Sequence, residues 1–385
     1  MKKLAIVSTH PIQYNSPWYQ LLNQRGKIEI KVFYTWSQTA KGPKYEPDFK
    51  RTVEWDIPLL EGYAYAFVEN VAKEPGSHHF KGIDNPALNK TIEAWKPDVL
   101  LIIGWSYKSH LACLRYFKGR VPVLFRGDST LLDETKGAKT ILRRVFLTWV
   151  YKHIDKALYV GANNKAYFKA HGVKEKQLIP AFHAIDNDRF SIFTDEQKGA
   201  VAGFQQQLEI EEDVFVVLFA GKFEEKKNPF FLLELARRIN DPKIIFLLTG
   251  NGPLEEELKA KAANDKRIKF LPFQNQSLMP ALYRLGSVFI LPSKGPGETW
   301  GLAANEAMAS GLPVILSSKT GGAVDLINGN GLLFTPGETE RVVRYIEELK
   351  NSPQALQEAR NASLRWVKKF SYVQLAEAVE KGCGL

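Results

Sequence analysis

The sequence predicts an α/β protein of two doubly wound, Rossmann-like parallel-sheet domains, and three observations predict it. Short apolar, β-branched runs alternate with longer amphipathic stretches through almost the whole chain, as strand-helix-strand units require. The alternation occurs in two successive sets, with a polar, Gln-rich and charged stretch from Thr194 to Asp213 at the start of the second. At 385 residues the chain is also longer than one hydrophobic core usually serves.

The first set of strand candidates comprises Leu4 to Val7, Ile28 to Phe33, Val99 to Ile103, Val121 to Phe125 and Ala157 to Val160. Met1 to Ser8 holds two lysines and an apolar run of about five residues, too short for a signal peptide or a membrane span, so that run reads as a buried strand. Cys113 and Cys383 can build neither a disulfide framework nor a cysteine metal cluster, which points to the cytoplasm. Trp36 to His79 departs from the pattern. It is rich in Lys, Pro, Gly and aromatics, holds no clear helix, and reads as a long loop of the kind that is functional or mobile.

The second set comprises Val214 to Phe219, Lys243 to Leu248, Ile268 to Leu271, Val288 to Leu291, Pro313 to Leu316 and Gly331 to Phe334. The expected division is a first domain over 1–190, a second over 191–370, and a terminal segment over 371–385. A net charge of +10 implies anionic partners, but neither zinc-finger spacing, an aromatic RNA-binding strand motif nor a basic arm is present, so nucleic acid is not among them.

Ligands of open parallel sheets bind beyond the carboxyl ends of the strands, so the residues there carry the functional reading. In the second set the first strand runs into Gly221, Lys222 and Lys227, the second into Gly250-Asn251-Gly252-Pro253, and the fourth into a segment holding Glu298, Gly301, Leu302 and Glu306. On one continuous helix Glu298 and Glu306 would stand about 12 Å apart and off a common face. Glu298 is therefore expected on a loop, and a helix starting near Gly301 would turn its free amides toward a phosphate. Lys222 and Lys227 would neutralise a diphosphate in place of a metal ion. The lone Asp-x-Asp, Asp186 to Asp188, falls at the interdomain connection, so no metal site is expected.

These residues carry a resemblance. The Glu298 to Glu306 pair followed by Ala307-Met308-Ala309-Ser310-Gly311-Leu312-Pro313-Val314, the glycine and lysine pair at Gly221, Lys222 and Lys227, the turn at Gly250 to Pro253, and Ile185-Asp186-Asn187-Asp188-Arg189-Phe190 together resemble the donor domain of glycosyltransferase family 4. The resemblance implies the GT-B fold, with two domains facing each other across a cleft and a last helix crossing back to the first. It implies retaining sugar transfer from a nucleotide-diphosphate-sugar, which is a donor substrate and not a cofactor. The acceptor would be a glycan, a lipid-linked or a small molecule, in cell-surface polysaccharide or glycolipid biosynthesis. Lys222 and Lys227 would hold the diphosphate, Glu298 the transferred sugar and Glu306 the ribose; Gly301 and Leu302 would offer amides, and Gly221 and Asn251 would complete the donor site.

The first set is less explicit. His10 follows its first strand where family members carry a Gly-Gly turn, and reads either as a contact to acceptor or donor phosphate or as a loop-capping residue. Asp128 stands near the position of a family histidine; it either orients a sugar hydroxyl or caps the next helix, while Arg126 could bind an anionic acceptor. Lys136 to Lys156 forms a basic amphipathic helix with two readings: peripheral contact with an anionic membrane at its inner face, or ordinary packing on the core. Rival functions are a GT-B sugar-nucleotide epimerase, which shares the fold but not the Glu298 to Glu306 signature, and a catalytically silent nucleotide-sugar binding protein. A dinucleotide oxidoreductase is disfavoured, because no Gly-x-Gly-x-x-Gly follows either first strand.

Overall fold

The computed structural model describes residues 1–36, 44–46, 51–53, 56–211 and 213–385. Its elements, in order, are β1 (Lys2–Ser8), α1 (Ser16–Arg25), β2 (Ile28–Tyr34), β3 (Lys44–Glu46), β4 (Arg51–Val53), β5 (Ala64–Phe67), α2 (Leu88–Trp95), β6 (Val99–Ile103), α3 (Lys108–Phe117), β7 (Val123–Gly127), α4 (Ala138–Tyr151), β8 (Lys156–Tyr159), α5 (Ala162–Ala170), β9 (Leu178–Pro180) and α6 (Asn187–Ser191). Then follow α7 (Asp195–Leu208), β10 (Phe215–Ala220), α8 (Phe230–Arg238), β11 (Ile244–Thr249), α9 (Glu255–Ala262), β12 (Ile268–Leu271), α10 (Met279–Arg284), β13 (Val288–Leu291), α11 (Leu302–Ala309), β14 (Val314–Ser317), α12 (Ala323–Leu326), β15 (Gly331–Phe334), α13 (Thr339–Asn351), α14 (Pro353–Trp366) and α15 (Tyr372–Gly382).

The chain divides into two compact units, one of residues 1–44, 57–183 and 372–385, the other of residues 45–56 and 184–371. Unit 1 holds a seven-stranded parallel sheet of order β5-β2-β1-β6-β7-β8-β9. Successive residues of its strands bury on opposite faces, as the two-residue period of a strand dictates. Ala5, Val7, Phe33, Leu100, Ile102, Val123 and Phe125 pack under α2 to α5 on one side. Leu4, Ile6, Val32, Leu101, Leu124 and Leu158 pack on the other under α1 and α15. The terminal helix α15 closes this second core with Leu375, Ala376 and Val379, and Arg25 donates two hydrogen bonds, of 2.6 and 2.9 Å, to the Glu380 carboxylate.

Unit 2 holds a six-stranded parallel sheet of order β12-β11-β10-β13-β14-β15. Its strands β10, β11, β13 and β14 are buried along their whole length, which explains why they read as continuous apolar runs. Unit 2 begins at Ala184, ahead of Phe190, because Ile185 bridges to Ser371 and α6 packs on α10 and α11. Ser277 donates its hydroxyl and amide to Asp56, one of the residues that unit 2 draws from the earlier sequence.

Besides β3 and β4, which pair with each other in a two-stranded sheet, two strands of the main sheets escaped the sequence reading. Within the stretch expected to be an irregular loop, β5 pairs in parallel with β2 at the sheet edge; part of that stretch lies outside the described residues. Three-residue β9 pairs with β8 and completes the other edge. Both are short, and their pairing energy comes from a partner strand that local periodicity does not register.

His110 on α3 is fully buried beneath the carboxyl ends of β2 and β6. Carbonyls only accept, so its Nδ1 carries the proton toward the oxygens of Ile103 and Gly104, at 3.1 and 3.0 Å, and Nε2 accepts from the Thr35 hydroxyl at 2.9 Å. Burial pushes this imidazole down to about 4. An imidazole near 6.5 in the unfolded chain then binds more protons than the folded one between those values, so stability is complete above about pH 6.5 and is lost as pH falls toward 4. We expect on the order of 3 kcal/mol to be lost over that window through His110. Melting temperature measured between pH 7 and pH 4.5 should fall more steeply in the native protein than in His110→Gln; parallel profiles would refute the assignment.

Candidate functional site

In unit 2 the candidate residues converge at the carboxyl ends of β10, β11 and β13. Lys227 ends a single 3-10 turn at Glu225–Lys227. Its Nζ donates to Glu298 Oε2 at 2.6 Å across 71 positions of sequence, and both side chains are largely buried. The aliphatic stem of Lys227 lies over Gly221, where an added Cβ would stand 3.1 Å from Lys227 Cδ. Lys222 is half-buried on the same loop. Asn251 ties neighbouring loops together: its amide oxygen accepts from the backbone of Phe273 at 2.8 Å, and its carbonyl accepts from Phe223 at 2.9 Å.

Glu298 stands on the irregular segment between β13 and α11, and Gly301 is the N-cap residue of α11. Gly301 adopts φ 98°, and a Cβ there would approach Thr320 Cγ2 to 2.7 Å, so glycine suits both the turn and the packing. The first amides of α11 have no carbonyl a turn earlier to pair with, so they form an anion-accepting end. A second constraint comes from the turn after β14. Gly321 N donates to Glu298 O at 2.8 Å and Gly322 N to Trp300 O at 3.0 Å, which pins the backbone that carries Glu298. Glu306, about one turn into α11, is 2% exposed and accepts the Tyr283 hydroxyl at 2.8 Å.

Two hydroxyls that sequence reasoning missed join this region. Thr320 Oγ1, beside Gly301, and Ser293 Oγ, just past β13, are fully buried and have no hydrogen-bond partner among the described residues. Native structures rarely leave such groups orphaned, so each marks a place where polar chemistry is expected. No sequence motif announced them. Asp186 of the Asp-x-Asp accepts from Arg189 N at 3.1 Å as the N-cap of α6.

Residues 202–366 match the family described as Glycosyl transferases group 1. The chain carries a group 1 glycosyltransferase domain. Among relatives, a D-inositol 3-phosphate glycosyltransferase of Rhodococcus erythropolis is 23% identical over 98% of this chain and 90% of its own. A sulfoquinovosyl transferase of Arabidopsis thaliana is 32% identical over 35% of this chain. An Escherichia coli UDP-Gal:alpha-D-GlcNAc-diphosphoundecaprenol alpha-1,3-galactosyltransferase is 32% identical over 33%. The aligned stretches span only 26% and 32% of the latter two proteins. The Anabaena HepE protein, solved in complex with UDP, superposes with a TM-score of 0.73 at 18% identity, covering 100% of both chains. Sucrose-phosphate synthase from Thermosynechococcus elongatus gives 0.74 at 16% identity, covering 99% of this chain and 98% of its own. The fold is therefore GT-B, two parallel-sheet α/β units, and the group 1 domain contains every candidate residue of unit 2.

Unit 1 gathers other candidates at the carboxyl ends of its strands. His10, after β1, shares a 3.0 Å hydrogen bond between Nδ1 and Thr9 Oγ1 and meets the Trp36 ring edge-on at 5.3 Å. Arg126 on β7 is 4% exposed, and its guanidinium donates to the carbonyls of Ala181 and Phe182 after β9. Burial lowers it to about 10, against the pull of Asp128 and Tyr19, so it stays charged at neutral pH while anchoring that backbone. Asp128 lies well ahead of α4, whose N-cap is Gly137, so the helix-capping reading fails. Its Oδ2 is instead 3.9 Å from Nε2 of His183. Burial, reinforced by the Arg126 charge, pushes His183 down to about 3, so its imidazole is neutral at neutral pH. His183 was missed because it follows β9, whose three residues left no readable strand pattern.

Proposed function

We propose that the chain is a retaining glycosyltransferase of family 4, moving a sugar from a nucleotide-diphosphate-sugar to a glycan, lipid-linked or small-molecule acceptor without a divalent metal, in cytoplasmic steps of cell-surface polysaccharide or glycolipid synthesis. The observation that carries this reading is the Lys227 to Glu298 pair beside the amino end of α11. A lysine, helix amides and a carboxylate at one place suit a donor whose diphosphate is anionic and whose sugar is rich in hydroxyls.

In this reading Lys222, Lys227 and the amides of Gly301 and Leu302 bind the diphosphate and stabilise the charge that develops on it as the glycosidic bond breaks. Glu298 orients the transferring sugar through its hydroxyls, and Glu306, set deeper along α11, takes the ribose. Asn251 acts through its loop, and Gly221 lets Lys227 lie close. The acceptor hydroxyl attacks the face from which the diphosphate departs, and the departing diphosphate takes its proton, which retains configuration and needs no protein nucleophile. On unit 1, His10 and Asp128 are the acceptor-side candidates, with Asp128 steered by His183 and Arg126. The likeness to a protein solved with UDP supports a uridine diphosphate donor. An epimerase would share the fold without requiring the Glu298 and Glu306 pair.

Incubation with UDP-sugars and candidate acceptors tests the proposal by release of UDP coupled to a glycosylated product. Turnover should survive chelation by EDTA unchanged within about twofold, because fixed lysines and helix amides supply the countercharge. Loss of activity in EDTA with recovery in manganese would refute metal independence. Conversion of the UDP-sugar to its epimer, with the sugar still on the nucleotide and no acceptor glycosylated, would favour the epimerase, and tight UDP binding with no turnover the silent binding protein.

A further inference from the structure

Helix α4 of unit 1 presents two opposed faces. Leu147, Val150 and Tyr151 enter the core, whereas Ile141, Leu142, Val145, Phe146 and Trp149 stand 66, 70, 66, 41 and 38% exposed. At 100° per residue these five fall within one sector of the helix. Core packing therefore accounts for one side and leaves the more apolar side outward. A contiguous exposed patch of this size on a protein surface marks an interaction site.

The surrounding charge selects the occupant. Lys136, Lys139, Arg143 and Lys152 are all exposed, and no acidic residue stands between Thr135 and Lys152. Arg115 of α3 lies 5.5 Å over the Trp149 ring, extending the basic border onto a second helix. Trp105 meets Phe146 at 5.6 Å, and Phe146 meets Trp149 at 5.7 Å, so the patch has an aromatic edge of the kind that settles at the headgroup level. A second copy of the chain would bring like charges together around this patch, which opposes self-association. Among the described residues no helix is long and apolar enough to cross a membrane, so contact through this element would lie in the plane of the surface.

We propose that α4 seats unit 1 on an anionic lipid surface, with Ile141, Leu142, Val145, Phe146 and Trp149 entering the headgroup boundary and the surrounding lysines and arginines holding the phosphates. The surface itself is independent of the enzymatic reading. Its consequence, a lipid-borne acceptor delivered to unit 1, rests on that reading.

Sedimentation of the full chain with vesicles of phosphatidylcholine, or of phosphatidylcholine mixed with phosphatidylglycerol, tests this. Binding should favour the anionic vesicles at least about tenfold and fall steeply with added salt, because screening shortens the reach of the basic border. Ile141→Glu with Val145→Glu, and separately Lys139→Glu with Arg143→Glu, should each reduce binding about tenfold or more; their helices and melting temperatures should persist, since all four side chains are exposed. UDP affinity of both variants should stay native, which separates failure of the lipid site from failure of the sugar-transfer proposal. Equal binding to neutral and anionic vesicles, no binding to either, or a dimer in ultracentrifugation that Ile141→Glu dissolves would overturn the proposal.

Discussion

Glu298→Ala should lower turnover about 10² to 10³-fold while leaving affinity for a nucleoside diphosphate close to native. The carboxylate is assigned to the transferring sugar, so its contacts position the reacting carbon, and they act when the bond to the diphosphate stretches. Its partner sharpens the prediction. Lys227 donates to Glu298 at 2.6 Å, and removing the carboxylate leaves the ammonium available to the diphosphate alone. Diphosphate affinity should thus hold or rise. Breaking the pair should also cost about 2 kcal/mol of stability, less than for a fully buried pair because Lys227 retains some access to water.

Glu306→Ala should fail in the other way. Deleting the deeper carboxylate should weaken diphosphate affinity by about 1 to 3 kcal/mol, as loss of a charge-assisted hydrogen bond does, and should remove its bond with the Tyr283 hydroxyl. Calorimetric dissociation constants for UDP and turnover at saturating donor, on variants checked for folding, distinguish the two. Equal affinity loss in both, or full turnover in Glu298→Ala, would reverse the assignments.

Gly321→Ala should be nearly as damaging although it deletes nothing. A Cβ at Gly321 would stand 1.9 Å from the Thr299 carbonyl oxygen and 2.4 Å from its carbon, both backbone atoms that cannot swing aside. The segment bearing Glu298 must then move away from the turn after β14, losing the amide bonds to Glu298 O and Trp300 O. We expect destabilisation of about 1 to 3 kcal/mol from overpacking, and a fall in turnover of about 10²-fold because displacement of roughly an ångström defeats positioning. Gly203→Ala, where φ is likewise outside the positive range and nothing lies within 4 Å of an added Cβ, supplies the comparison for an uncrowded substitution. Native turnover in Gly321→Ala would show that this turn does not hold Glu298.

The parallel sheets, their repetition and the residues after β10, β11 and β13 were legible in the chain because each rests on local information. Continuous apolar runs such as Phe215–Ala220 signal strands buried on both faces, and glycines, lysines and glutamates at strand ends stand out against them. The loop position of Glu298 and the helix start at Gly301 followed from spacing alone. Contacts between distant segments were not legible. The Lys227 to Glu298 bond joins two strand ends that only the order β10-β13 makes adjacent, and Asp128 meets His183 only because β7, β8 and β9 are successive neighbours. Arg126 read as a residue that could bind an anionic acceptor because its charge is visible in sequence, whereas its burial against the Ala181 and Phe182 carbonyls after β9 is not. Helix α4 shows the division most plainly. Its composition determined an amphipathic basic helix, while the tertiary packing of Leu147, Val150 and Tyr151 decided which apolar residues the core would take and which would remain for a partner, since burial is a property of neighbours and not of a sequence window.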